Sequence, residues 1–452
     1  MTIRLIVLAI LAFCGVAASV APQPAAPAGA RHVILASLDG FPATALENPR
    51  APIPTLRRLI REGASARALR PVNPVVTWPN HTTFVTGVRP AVHGVLFNGL
   101  VVRDASGAPP VVRPWRDKRE MVRAPTVYDA AHAAGLTTAQ VDWVAIHNAE
   151  TITWAFAERP DASAPVPREL IEAGIMTEQE VEGFGAGSTA PWRDQRWTDA
   201  AVHIIEKHRP NLLLYHLLAL DSTNHRYGAG TLASWNAIAF QDAQLARLLD
   251  AVDRAGLRDR TTVLVVSDHG FRSAALAVQP NVALRAAGLI RGDADTIVAD
   301  AWTMPWGGAA AVYLRAPGDE TMRQKARAAL DALEGVSQLL EGEQTAALGL
   351  PAPGSMDQAP DFVLVAAEGY EFGRDDEGDL VDPVAPDHQG HHGALASDPV
   401  MGALFVAWGK DVAAGRRLEE VHAVEVAPTV AEWLGVPLPT AEGRSLAGRL
   451  AP

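Results

Sequence analysis

Thr261-Thr262-Val263-Leu264-Val265-Val266-Ser267-Asp268-His269-Gly270 is the stretch from which the fold can be read. Its first part is β-branched and continuous. It lacks the polar–apolar alternation of a sheet with one wet face, so it predicts a strand buried on both sides, as in a parallel sheet. The run ends on an aspartate. Two other apolar runs do the same: His32 to Leu38 leads into Asp39-Gly40, and Asn211 to Leu220 leads into Asp221. One such ending is a turn. Three suggest carboxylates gathered at one edge of one sheet, where open α/β sheets keep their sites.

Helical spacing fills the intervals. Pro54 to Arg61 reads as an amphipathic helix stopped by Gly63, and Thr126 to Ala134 as another. Thr198 to Lys207, capped by Thr198, and Leu232 to Ala255 follow, and Val424 to Gly435 closes the chain. Thr138 to Trp143 predicts a further strand, and 157–192 reads as irregular. After Asp268 the period changes, with short strands at Gly307 to Leu314 and Asp361 to Ala366 around a helix at Glu320 to Glu334. The expectation is an α/β fold: a central, mostly parallel sheet flanked by helices, built from 31–280 and 383–452. A smaller α+β insertion occupies 281–382.

The 452 residues are 48% hydrophobic and 20% charged, a globular composition, and a net charge of −12 argues against general nucleic-acid affinity. Residues 1–21 read as a secretory signal, with Arg4 before an apolar stretch, and 22–30 as a flexible Ala/Pro leader. The single cysteine, Cys14, lies inside that signal, so a metal site must draw on His, Asp and Glu. Leu11-Ala12-Phe13-Cys14 resembles a lipoprotein box only faintly, because Phe13 is bulky where a small residue is expected. The expected location is periplasmic or secreted, without a lipid anchor. No later segment is apolar and long enough for a transmembrane helix.

Thr77-Trp78-Pro79-Asn80-His81 opens an apolar run, and Pro79 is placed as the first residue of a helix, where proline is tolerated. Thr77 is then either a helix cap without chemistry or a hydroxyl aimed at an anion hole. Asn98, in Phe97-Asn98-Gly99, is either a turn residue or an amide donor for a phosphoryl oxygen. Asp221 and His225 have chelating spacing, and His388-Gln389-Gly390-His391-His392-Gly393 puts three histidines within five residues. Two sets emerge. Asp221, His225 and one of His391 or His392 form the first; Asp39, Asp268 and His269, with Thr77, form the second. Oxygen and nitrogen donors without sulfur suit Zn²⁺, with Mn²⁺ or Fe also compatible. Two such ions about 4 Å apart clamp both oxygens of a phosphoryl displacement.

Together, Thr77 to His81, Thr86-Gly87, His93-Gly94, Asn98, Asp39-Gly40, Asp221 with His225, Asp268-His269-Gly270 and Gly390 to Gly393 resemble one family. It is the nucleotide pyrophosphatase/phosphodiesterase branch of the alkaline phosphatase superfamily. The resemblance implies a two-zinc hydrolase with a phosphothreonine intermediate on Thr77. One zinc would take Asp221, His225 and His392; the other would take Asp39, Thr77, Asp268 and His269. Asn98 would hold a non-bridging phosphoryl oxygen together with the Trp78 N–H. His391 would be a spare histidine, and His81 and His93 would make structural hydrogen bonds. His216, in mid-strand, reads as core.

Trp78 and Trp143 are candidate walls of the substrate pocket. Nucleotide-cleaving relatives carry a Trp-Pro-Gly-type stretch near Trp143, whereas this chain has Asp142-Trp143-Val144-Ala145-Ile146. Monoesterase relatives place Lys or Arg in this region, and none occurs at 137–157, which favours a diester. Arg374, from the insertion, could supply such a charge. The expected activity is therefore that of a phosphodiesterase or pyrophosphatase on a small phosphate ester. A phosphomonoesterase or phosphonate hydrolase on the same site is the alternative, and a non-catalytic metal-binding protein is the third reading.

Overall fold

The computed structural model describes residues 31–103, 106–185, 187–293 and 296–452. The expected signal and leader, with Cys14, lie outside the described residues. In chain order the strands that frame the site begin with β1 (His32–Leu38), β2 (Ala64–Arg70), β3 (Thr138–Val141) and β4 (Trp154–Phe156). β5 (Leu212–Leu217) and β6 (Thr261–Val266) follow. Then come β7 (Ala301–Pro305), β8 (Ala309–Leu314), β9 (Val336–Glu341) and β10 (Phe362–Ala366), and last β11 (Phe405–Gly409) and β12 (Arg416–His422).

The large sheet runs β12-β2-β11-β6-β1-β5-β3-β4. All neighbours are parallel except those of β11, which runs against both β6 and β2. Alternate residues of the central strands enter two separate apolar clusters. Ile34, Leu213, Tyr215, Val263 and Val265 face one side; Val33, Leu35, Leu214, Leu264 and Val266 face the other. This double burial is why the strands read as continuous apolar runs. Each Val, Leu or Ile so buried contributes about 1.5–3 kcal/mol. Segment 281–382 contributes a second, antiparallel sheet, β7-β8-β10-β9. Helices Pro280–Ala286 and Glu320–Asp331 cover that sheet, and residues from both pack in its own apolar cluster.

Three sequence expectations change. The strand expected to reach Leu220 ends at Leu217, and Asp221 and His225 lie on a helix, Ala219–Tyr227. Thr198 is not a cap. Its helix starts at Ala190, and Thr198 is buried in mid-helix, donating to the Asp194 carbonyl and meeting the Tyr215 hydroxyl. The interval 157–192 contains two helices, Pro165–Glu172 and Glu178–Glu182, the second with a capping box from Thr177 and Glu180.

Candidate active site

The parallel pairing of β6, β1 and β5 puts their C-terminal ends side by side, with Ser37 opposite both His216 and Val266. Asp39 follows the end of β1 directly, and Asp268 follows that of β6 after Ser267. Asp221 arrives in the first turn of its helix, and Gly40 makes that approach fit. Gly40 has φ +69°, and a Cβ there would meet Asp221 at 3.2 Å. The start of the Ala219–Tyr227 helix is fixed by a residue that sequence reasoning missed. The buried Asp194 carboxylate accepts the N–H of Leu218 (2.8 Å) and of Ala219 (2.9 Å). This is a helix cap supplied from a distant helix, and no local spacing announces it.

Thr77 is the first residue of a helix, Thr77–Thr86, and Val76 occupies the cap position without a side-chain bond. Thr77 therefore lies inside the helix and not at its cap position. The loop before it is pinned by Asn80. Asn80 Oδ1 accepts from Val72 N–H (2.8 Å), while Nδ2 faces the carbonyls of Val76, Pro74 and Val72 at 3.1–3.3 Å. His81 Nδ1 lies 2.8 Å from the Thr77 carbonyl, and burial pushes its pKa down to about 3, so the ring is neutral and donates there. His93 accepts from Val95 N–H at Nδ1, leaving Nε2–H for Thr83. Both histidines make the structural bonds expected of them.

The ligand candidates converge. His225 Nε2 is 3.4 Å from Asp221 Oδ1, and His392 Nε2 is 3.9 Å from the same oxygen. His269 Nε2 is 3.4 Å from Asp39 Oδ1 and 3.2 Å from Asp268 Oδ2. Asp221 stands at the seam, near Asp39 and His269 as well as near His225 and His392. In each of the three histidines Nδ1 faces a backbone carbonyl: Gly390 for His225, Val75 for His392 and Gly270 for His269. With Nδ1–H committed, the Nε2 lone pairs face inward, the tautomer a metal requires. His391 turns its Nδ1 to the His392 carbonyl.

Four atoms of this cluster are buried without a hydrogen-bond partner: Asp39 Oδ1, Asp221 Oδ1, Asp268 Oδ2 and His269 Nε2. Burial, reinforced by the Asp268 and Asp221 charges, pushes the Asp39 carboxyl well above its usual range against the pull of His216. Burial, with His269 and His225 nearby, keeps His392 well below its usual value and hence neutral. Orphaned acceptors, crowded acids and neutral imidazoles are what divalent cations reconcile. Spacing makes the same point. Donors around an ion with bonds of about 2.0–2.1 Å sit about 3.3–3.4 Å apart when tetrahedral. The Glu169, His203 and His208 cluster on the surface is different. Its ring nitrogens lie 3.0 and 2.7 Å from Glu169 Oε2, and Lys207 Nζ is 3.2 Å from the same oxygen. That is a hydrogen-bonded cluster with the Lys207 ammonium already beside its carboxylate.

Other residues land differently from expectation. Asn98 reaches the residue after Thr77, but its Oδ1 accepts the Trp78 N–H at 3.0 Å, so the two expected phosphoryl donors are bonded to each other. Trp143 is 3% exposed, packed behind His81 with ring centroids 4.9 Å apart, in the core cluster of Phe84 and Tyr128. It is not a pocket wall, because the turn at Asp142 (φ +55°) carries it inward. Trp78 is also mostly buried, and its edge meets Trp115, over which Arg159 stacks at 4.6 Å. A cavity of about 720 Å³ opens over Asn98, His225 and His392. Trp302, Met304, Trp306 and Phe372 from 281–382 wall it, and Arg374 lies on its lining as well. His216, read as core, lies between two carboxylates, Asp39 Oδ2 at 3.0 Å and Asp142 Oδ2 at 2.9 Å.

Comparison with known proteins agrees with this geometry. A profile of the type I phosphodiesterase / nucleotide pyrophosphatase family matches residues 33–395. Among curated relatives, bovine ectonucleotide pyrophosphatase/phosphodiesterase family member 3 is 23% identical over 255 residues, 56% of this chain and 26% of that protein. The venom phosphodiesterase of Macrovipera lebetinus is 25% identical over 245 residues, 53% of this chain and 25% of that one. The matches therefore span only about a quarter of these relatives. Among solved structures, human ectonucleotide pyrophosphatase / phosphodiesterase 5 superposes with a TM-score of 0.70 at 18% identity, over 93% of this chain and all (100%) of that chain. The murine protein, solved as an inactive form in complex with AMP, gives the same TM-score of 0.70. A profile match running from β1 through the histidine loop takes in Asp39, Thr77, Asp221, Asp268 and His392 alike, and by it the chain belongs to the type I phosphodiesterase / nucleotide pyrophosphatase family.

Proposed function

We propose that this protein hydrolyses small phosphate diesters through a phosphothreonine intermediate on Thr77, with two divalent ions, zinc in the first instance. One would be held by Asp221, His225 and His392, the other by Asp39, Asp268, His269 and Thr77. The observation that carries the reading is the way the Thr77 loop is tied to the ligand cluster. His392 Nδ1 bonds the Val75 carbonyl at 2.9 Å, and His81, 3.7 Å from Asp268, bonds that of Thr77.

Such ions, when bound, neutralise phosphoryl charge and lower the pKa of a coordinated hydroxyl. The protein does the rest. Thr77 Oγ1 gives its proton to solvent and attacks phosphorus, the bond from phosphorus to the leaving oxygen breaks, and the departing alkoxide takes a proton back from solvent. Water then attacks the phosphothreonine, returning the Thr77 hydroxyl and releasing the monoester. Asn98, anchored through its carbonyl oxygen on Trp78 N–H, is left with its NH₂ group to donate to a non-bridging oxygen. The N-terminal end of Thr77–Thr86 adds a favourable dipole.

Segment 281–382 acts as a cap whose aromatic wall receives one ester substituent. Nucleotide-type diesters are natural first substrates, since a structural neighbour binds AMP. Arg374 on the cavity lining favours a second reading, a phosphomonoesterase. Export to the periplasm or beyond belongs to this proposal; among the described residues, no helix is long and apolar enough to cross a membrane.

Bis-p-nitrophenyl phosphate against p-nitrophenyl phosphate separates the two readings. A preference for the diester is expected, and a large monoester preference would overturn it. Thr77→Ala should abolish turnover while two metal ions per chain still bind; near wild-type turnover would remove Thr77 as nucleophile.

A further inference from the structure

We propose that His216 is a positioning residue for the Asp39 carboxylate, held in place by Asp142, and that this buried Asp142–His216–Asp39 chain sets the affinity of the Asp39 metal position. The inference rests on the proposed reading of Asp39 as a metal ligand. Its evidence is geometric. Nδ1 of His216 lies 2.9 Å from Asp142 Oδ2 and 3.1 Å from the Asp142 carbonyl, so it faces acceptors only. Nε2 lies 3.0 Å from Asp39 Oδ2. Asp39 therefore has one oxygen fixed by His216 and the other, Oδ1, unpartnered and turned to His269. Binding one carboxylate oxygen in this way orients the second toward an ion.

Two further features separate this chain of contacts from ordinary core packing. Asp142 is 1% exposed and adopts a left-handed backbone (φ +55°), an uncommon conformation for an aspartate directly after a strand. That turn is what aims its carboxylate at His216. The His216 ring also lies edge-on to His81, centroids 4.5 Å apart, and His81 holds the Thr77 carbonyl. A leucine would fill the same volume without costing two buried polar bonds.

The test is zinc binding to the full-length protein stripped with chelator, titrated against a competing indicator. Wild type is expected to bind two ions. His216→Ala should weaken one of them about 10- to 100-fold and leave the other unchanged. Its activity should return as free zinc is raised, which lost packing would not produce. Asp142→Asn, which keeps an acceptor for Nδ1–H, should remain within a few-fold of wild type. Wild-type affinity for both ions in folded His216→Ala would overturn the proposal. If that variant does not fold, His216→Leu serves in its place. It fills the ring's volume without a donor for Asp39, and one weakened ion supports the chain while two unchanged ions refute it. Failure of the underlying reading looks different: Asp39→Ala would then bind as many ions as wild type.

Discussion

Asn80→Asp replaces one NH₂ by one oxygen, and the structure says what that oxygen meets. The wild-type side chain is fully buried, with Oδ1 on Val72 N–H and Nδ2 among the carbonyls of Val72, Pro74 and Val76. An aspartate keeps the first bond. Its second oxygen, if ionised, faces three carbonyl oxygens; only the protonated acid donates to them as the amide did. A carboxyl sealed in this way has its pKa raised by about 3 or more over the unfolded value near 4. The sign follows. A folded pKa above the unfolded one gives stability that is complete below about pH 4 and lost as pH rises through about pH 7. Relative to wild type, the penalty is therefore about 1–2 kcal/mol at pH 5 and about 4 kcal/mol at pH 7.

Asn80→Ala behaves differently. It strands the Val72 N–H and the Val72 carbonyl, while the Pro74 and Val76 carbonyls keep backbone donors, at about 2–3 kcal/mol with no pH dependence. The two variants should change order: aspartate the more stable at pH 5, alanine the more stable at pH 7. Urea unfolding of the metal-free proteins at both pH values measures this. If Asn80→Asp equals or exceeds Asn80→Ala at pH 7, the carbonyl cage does not discriminate amide from acid, and the account of how the Thr77 loop is held is wrong.

Asp194→Ala should strand the N–H groups of Leu218 and Ala219 at about 1–3 kcal/mol each. It should also weaken metal binding at Asp221 and His225, measured by denaturant unfolding and zinc titration. Asp129 shares a capping box with Thr126 and an ion pair with Lys118. Although burial pushes its carboxyl up, bonds from Lys118, Thr151 and Thr126 outweigh it and hold the pKa below the usual value. Asp129→Ala should therefore cost about 1–2 kcal/mol at pH 7, with the gap closing as pH falls below about 4; the difference in Tm across that range checks it. Trp302→Ala should raise KM for an aryl diester with kcat held, because Trp302 lines the cavity above His225 and His392. Trp115→Ala should leave KM unchanged, and the opposite result would move substrate recognition to the Trp78 side.

The sheet was legible because burial on both faces leaves an unmistakable sequence trace. Val33 to Leu38 and Thr262 to Val266 carry no polar residue facing water, and their aspartate endings fell where parallel pairing put them. The histidines of the last motif were legible for a similar reason, since imidazoles flanked by glycines have few roles in a loop. What escaped was everything decided by tertiary partners. Thr198 resembled a cap because threonine caps helices, yet its hydroxyl back-bonds inside a longer one. Asp194 has no local feature that could mark it as the cap of a helix starting 25 residues later. Asn98 and the Trp78 N–H were expected to meet at a phosphoryl oxygen; that they bond one another follows only from how the loops meet.

The most consequential misreading concerns Asp142 to Ile146. Sequence departure from nucleotide-cleaving relatives there invited a specificity role, but Trp143 packs behind His81, and Asp142 turns to His216. On the proposal that Asp39 holds a metal ion, a substitution at Asp142 would be felt there through His216. Discrimination among the proposed diester substrates would then fall to the surfaces that line the cavity. Trp302, Met304, Trp306 and Arg374 line that cavity from 281–382, a segment with its own sheet. Met304 and Trp306 pack in one cluster with Val76 and Phe97, so they are shared between the insertion and the Thr77 loop, and Trp302 and Arg374 are the more independent pair. On the proposed function, the chemistry would be held at the strand ends, and the choice of substrate would fall to the segment that lines the cavity above them.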